Sequence, residues 1–257
     1  MDSEEIDLKY LKIKLDNRLK ECFQSKDLAL AEQFLEQAIK VFDDHKYYQY
    51  LTIIKQKMNK MDENDVLFPE LCKNYNNPDD WNNYAIHLKD RKKYVESVVA
   101  SQKAIKINPN KPAYYCNQAL AFLQLDRHHI ALKKIDESLK LAPDEWFFNA
   151  NKACCLADMG RYDESTPYFE KALSNKQCNK EVEVDYFHAL AFQKNYNEAW
   201  KHYESRYDCY SSLINYMKKH NLERPKKLTK DMEICVFMEQ GTGAVSYTHL
   251  TLPTILL

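Results

Sequence analysis

Apolar residues recur along most of this chain at spacings of three and four, the signature of helices with one buried face. In KDLALAEQFLEQAIKVF (residues 26–42), Ala31 and Ala38 lie two helical turns apart on such a face. The pattern is punctuated by prolines rather than glycines. Pro109 and Pro143 stand 34 residues apart, each closing one helical stretch and preceding another. Proline has no amide hydrogen and disfavours helix in the residue before it, so it separates units. The expected elements are therefore helices in antiparallel pairs, repeated at a fixed period.

Aligning the chain on that period brings like residues into columns. Ala85, Ala119 and Ala153 share one column, and Leu88, Phe122 and Leu156 share another. Tyr94, His128 and Tyr162 align, followed by Ser97, Ala131 and Ser165. Ala104, Ser138 and Ala172 come next, with Ile105, Leu139 and Leu173 beside them. Small residues let two helices approach closely, and large neighbours fill what remains. A single pair cannot bury both of its faces, so stability must come from stacking. Repeats are expected at 79–112, 113–146 and 147–180.

This arrangement resembles the tetratricopeptide (TPR) family, whose repeats have 34 residues. Trp81 stands at the family's early Trp position, Gly160 and Tyr162 match its turn, and Phe169 and Ala172 match its second helix. Tyr84, Gln118 and Lys152 depart from it where Leu is usual, and Ser101 where a large aromatic is usual. The resemblance implies an all-α, right-handed TPR superhelix of antiparallel helix pairs.

The flanks depart further. Residues 1–62 read as degenerate TPR-like helices and 63–78, with Pro69 and Pro78, as an irregular linker. Residues 181–208 read as a degenerate fourth repeat with a shortened first helix; Tyr196, Ala199 and Tyr203 take its turn and second-helix positions. A connector (209–230) leads to MEICVFMEQGTG, whose apolar, partly β-branched run and Gly-x-Gly turn predict a short strand-like remnant of a truncated α/β domain at 231–244. Tyr203–Arg206 and Glu239–Gly243 resemble the hinge and first strand of bacterial TPR–glycosyltransferase fusions, with Ser205 and Ala244 departing from that pattern. Val245–Thr254 resembles a translated sequencing-library adapter, so 245–257 reads as a non-native tail.

Composition narrows the function. Three glycines in 257 residues are too few for a sheet-rich chain. A net charge of −1 lacks the cationic excess that nucleic-acid binding requires. The basic run around Arg224, Lys226, Lys227 and Lys230 reads as a solvated connector. Eight scattered cysteines form no CxxC and no metal-ligand spacing, as expected of free thiols in a reducing compartment. No signal peptide and no membrane-length apolar run stand in the sequence, so the expected location is cytoplasmic, without a membrane partner. No catalytic constellation, cofactor motif or metal site is present, so the chain as written is not expected to be an enzyme. His128–His129 read as surface or packing residues, and Asp43–Asp44 and Asp79–Asp80 as helix-end charges.

One column carries a binding expectation. Asn83, Asn117 and Asn151 align on the first helices, which line the concave surface in TPR folds. Ile86, Leu120 and Cys154 lie one turn on. Amides can match the donors and acceptors of an extended peptide backbone. The column resembles the asparagine ladder of O-GlcNAc-type glycosyltransferases. Asp90, Gln124 and Asp158 at the late groove positions oppose a terminal carboxylate, which excludes the carboxylate-clamp type. The expected function is a scaffold binding a protein or peptide segment; the alternative is the substrate-recruiting fragment of a truncated glycosyltransferase. The oligomeric state stays open.

Overall fold

The computed structural model describes residues 3–202, which form twelve helices and no strand. They stand in six consecutive pairs: α1 (Ser3–Ser25) with α2 (Leu28–Phe42), α3 (His45–Lys57) with α4 (Met61–Tyr75), and α5 (Pro78–Asp90) with α6 (Tyr94–Ile107). Then come α7 (Pro112–Leu123) with α8 (His128–Leu141), α9 (Trp146–Asp158) with α10 (Tyr162–Leu173), and α11 (Lys180–Phe192) with α12 (Tyr196–His202). Each helix packs on the next in sequence. From α5 onward, first helices begin at residues 78, 112, 146 and 180, and second helices at 94, 128, 162 and 196. The 34-residue period is therefore kept to the residue.

The turn inside each pair needs one left-handed residue, and the backbone supplies it six times. Lys26, Asn59, Lys92, Asp126, Gly160 and Lys194 all have φ between 55° and 73°. Only Gly160 adopts this region without a Cβ penalty. Helix starts are secured by Asp27, Asp44, Asn77 and Asn179, whose side chains accept from free amides of the first turn.

Burial follows the same geometry. The fourth, eighth and eleventh residues of the second helices face inward: Ala31, Leu35 and Ala38 on α2, then Ala131, Ile135 and Ser138 on α8. On α10 these are Ser165, Phe169 and Ala172. The small columns stand where hairpin helices meet. Ala119 is fully buried against Ala131, Ile135 and Cys155.

The expected linker at 63–78 is corrected: α4 runs through it from Met61 to Tyr75. Its inward positions Asn64, Phe68 and Leu71 are buried, while Pro69 is exposed. The proline ring faces water there, and packing of the opposite face outweighs the lost helical hydrogen bond, about 3 kcal/mol in a helix interior. Pro78 is the first residue of α5, where no helical amide bond is lost. The fourth repeat's first helix is not shortened either, because α11 spans 13 residues. Tyr203, the connector, the strand-like remnant at 231–244 and the tail at 245–257 lie outside the described residues.

Among the described residues, no helix is long and apolar enough to cross a membrane.

Candidate functional site

The first helices α5, α7, α9 and α11 touch one another between neighbouring pairs, and the second helices make no comparable contacts among the described residues. The first helices therefore form the inner layer. Asn117 donates from Nδ2 to Asn82 Oδ1 at 2.8 Å, joining α7 to α5. Asn151 donates from Nδ2 to Cys116 Sγ at 3.5 Å, joining α9 to α7, and to its own helix at Phe147 O. Cys154 Sγ donates to Asp185 Oδ2 at 3.5 Å, joining α9 to α11. Asn117 and Asn151 thus lie along the seam of the inner helices, whereas on α5 the seam bond is made by Asn82 and not Asn83.

Asn83 is exposed, whereas Asn117 and Asn151 are half-buried because they also tie neighbouring helices. Each of those amides retains acceptor and donor capacity beyond its structural bonds. Ile86, Leu120 and Cys154 are half-buried one turn further on. Sequence reasoning missed Asn82, Cys116 and Asp185. The first two immediately precede candidate positions by one column, a signal present in the 34-residue alignment; Asp185 continues the asparagine column into α11.

The inner face is acidic at its later end. Asp90, Asp158 and Asp185 are exposed, and no ion pair reaches Asp158 or Asp185 among the described residues. Loss of surrounding water raises the Asp158 carboxyl above its usual range. The same effect raises Asp185, reinforced by the nearby charges of Asp158 and Glu181, although the Cys154 thiol and His188 oppose it.

The three departures from Leu are accommodated individually. Tyr84 stacks on Phe68 at 5.7 Å. Gln118 is buried and donates to Val98 O and Gln102 Oε1 on α6, on either side of the small Ser101. Lys152 pairs with Asp136 at 2.7 Å and lies over the Tyr168 ring. His128 is half-buried and His129 exposed. Asp44 caps α3, but Asp80 is more than a helix-end charge: it is fully buried and bonded to His45 and Gln49 across the α3–α5 junction.

Among the described residues, one trio of carboxylates comes close enough to hold a metal: Glu32, Glu36 and Glu63. The Lys55 ammonium bonds all three, and Lys60 bonds Glu32, so cations of the chain itself fill that place. The tyrosine-rich start of α3 is packing, with Tyr47 and Tyr48 buried.

Residues 148–177 match the model of the tetratricopeptide repeat. Over 98 residues the chain is 31% identical to small glutamine-rich tetratricopeptide repeat-containing protein 2 of Mycosarcoma maydis, covering 38% of this chain and 27% of that protein. The chain thus spans about a quarter of the length of that curated relative. Among solved structures it is similar to Pseudomonas aeruginosa pilF, with a TM-score of 0.67 and 15% identity over 84% of this chain and 100% of the other. PilW, a type IV pilus biogenesis factor, gives 0.67 and 16% over 80% and 98%. YrrB, a TPR protein with an unusual peptide-binding site, gives 0.53 and 14% over 72% and 97%. At these identities the likeness is one of fold. The stack of helix pairs is a TPR superhelix, and it carries a tetratricopeptide repeat at 148–177.

Proposed function

We propose that this protein is an interaction scaffold that holds an extended, basic peptide segment on the inner face of α5, α7, α9 and α11. The observation that carries the reading is Asn117 and Asn151 at the junctions of the inner helices; the 34-residue period adds the exposed Asn83 to their column, near the apolar Ile86 and Leu120. The amides address the peptide backbone, and the apolar strip supports intervening side chains. Asp158 and Asp185, which form no ion pair with a Lys or Arg among the described residues, supply the complement to a Lys or Arg of the partner. YrrB, which shares the fold, is described as having a peptide-binding site. The glycosyltransferase reading rests on Tyr203–Ala244, outside the described residues, and leaves the groove argument unchanged.

The test is titration of a basic peptide, selected from an immobilised library, against the native protein and the Asn83→Ala/Asn117→Ala/Asn151→Ala variant. Each net hydrogen bond contributes about 0.5–1.5 kcal/mol, so the variant should bind more weakly by roughly 2–4 kcal/mol. Loss of the Asn117 and Asn151 ties should lower the melting temperature slightly. Equal affinities would reject the asparagine column as the peptide's seat.

A further inference from the structure

On the other side of α9 lies a cavity of about 650 Å³, bounded by α8, α9 and α10. Asn149, which lines it, and Asn151 of the inner seam are two residues apart, which places them on opposite faces of the helix. The cavity arises where one position differs among three successive pairs.

The fourth residue of the first helix is Trp81 in α5, Tyr115 in α7 and Asn149 in α9. Trp81 packs against the two buried clusters that contain Ala100 and Ala104 of α6, with the Lys103 ammonium 4.0 Å from its ring centre. Tyr115 lies under Lys134, and its hydroxyl donates to Pro109 O at 3.0 Å. In α9 the short Asn149 side chain folds back, donating to Pro143 O at 3.0 Å and Glu145 O at 2.9 Å. Pro143 is the equivalent of Pro109, so the amide satisfies the carbonyl that the tyrosine satisfies one repeat earlier. It brings no ring with it. Tyr168 on α10 stands where Ala100 and Lys134 stand, but its ring is held beneath Lys152 at 4.3 Å and becomes a wall of the cavity.

The charges around this opening are cationic in balance. Lys133, Lys140, Lys152 and Lys171 line it, against Asp136 and Glu137. Lys152 is paired with Asp136, and Lys140 with Glu137. Lys171 is the equivalent of Lys103, the residue that covers the Trp81 ring; its own partner Asp144 is nearly fully exposed. Lys133 has no ion pair among the described residues. Such a lining complements negative charge.

We propose that this cavity is a second docking site, taking an acidic peptide segment whose aromatic side chain occupies the ring position that Asn149 leaves open. The ring would lie against Leu139, Pro143 and Tyr168 with Lys171 beside it, reproducing the cation–aromatic contact seen at Trp81. The flanking carboxylates would face Lys133 and Lys140. This site is independent of the inner groove and of opposite charge.

The probe is the pentapeptide acetyl-Glu-Asp-Trp-Asp-Glu-amide, titrated calorimetrically against the full chain at low salt. Measurable binding is expected, weakened about tenfold or more when alanine replaces the tryptophan or lysine replaces the acids. Asn149→Trp rebuilds the side chain used at residue 81 and should close the cavity, weakening the peptide about tenfold or more with no loss of melting temperature. Lys133→Glu/Lys171→Glu should weaken it as much without touching the core, and decides the matter if Asn149→Trp folds poorly. Asn83→Ala/Asn117→Ala/Asn151→Ala should leave this peptide's affinity unchanged, which separates the two sites. Absence of binding at about 1 mM, or full affinity in both cavity variants, would overturn the proposal.

Discussion

The pair α3–α4 and the pair α7–α8 turn the same positions inward with opposite chemistry. In α7–α8 the eighth and eleventh residues of the first helix are Ala119 and Phe122, and the fourth of the second is Ala131. In α3–α4 the same places hold Thr52, Lys55 and Asn64, all buried. Asn64 donates to Thr52 O at 3.0 Å, and Lys55 reaches the carboxylates of Glu32, Glu36 and Glu63. The polarity extends to the next junction, where Asp80 is buried in the column of Tyr47, Tyr114 and Phe148. Position in the stack decides burial. What fills a buried position need not be apolar, provided most of its hydrogen bonds close within the stack; Lys55 is fully engaged, whereas Asn64 closes its Nδ2 bond and leaves Oδ1 without a partner.

The largest test of that contrast is Lys55→Leu, which installs the type of residue found at Leu88 and Leu156. If apolar filling alone mattered, stability would rise. The polar network predicts a loss of about 2–4 kcal/mol in chemical denaturation, because the buried Glu32 keeps only Lys60. The half-exposed Glu36 and Glu63 hold the figure below that of a fully buried pair. Adding Glu32→Leu should recover part of the loss.

The second test addresses the apolar pair. Ala119→Leu should overpack the fully buried contact with Ala131 and Ile135 and cost about 1–3 kcal/mol. A change near zero would mean that the two helices can part there more readily than a close-packed seam allows.

The same contrast explains what could be read from the sequence. Between residues 78 and 180 the small-residue columns are intact, and the first helices of successive pairs begin at Pro78, Pro112, Trp146 and Lys180. In α3–α4 the three marker columns are polar, and Pro69 imitates a helix breaker, so the pattern there reads as a linker although α4 runs through it. The turn signal was also hidden, since five of the six left-handed turn residues are not glycine. At the candidate site, the asparagine column was legible from spacing alone. That Asn117 and Asn151 also tie inner helices was not, because their partners Asn82 and Cys116 differ in type from repeat to repeat. The outer cavity was invisible for a related reason: it arises from what Asn149 does not fill.

A smaller, stabilising effect is expected at the turns. Lys92→Gly relieves a left-handed lysine at φ 61° and should add about 0.5–1 kcal/mol, after allowing for glycine's greater freedom when unfolded. Asn59→Gly should add less, because asparagine tolerates this region better. Equal gains at both would show that the turn is governed by something other than the Cβ penalty.

The smallest effect is a difference in how the polar region around α3–α4 and the later inner helices α9 and α11 respond to acid. In the first, several carboxyls titrate low. Asp44 is lowered by its bond to Lys12. Burial would raise Glu32, but hydrogen bonds from Lys60 and Lys55 outweigh it, and His87 and Arg91 do the same for Asp65. A group lowered in the folded state stabilises the protein above its unfolded pKa, and that contribution disappears as pH falls through the folded value. Asp158 and Asp185 are raised, chiefly by desolvation, so the folded state binds their protons more readily than the unfolded chain does. Their contribution has the opposite sign: acidification through the raised values relieves a cost present at neutral pH. Amide hydrogen-exchange protection should therefore decline first in α3 and α4 as pH falls through the carboxylate range near about 4, while α9 and α11 hold or gain. Basic-peptide affinity on the inner face should fall earlier, at higher pH than the loss in α3 and α4, since the raised Asp158 and Asp185 protonate first and lose their charge. Protection that changes in parallel in both regions would show that the stack opens as one unit and that the local titrations have no regional consequence.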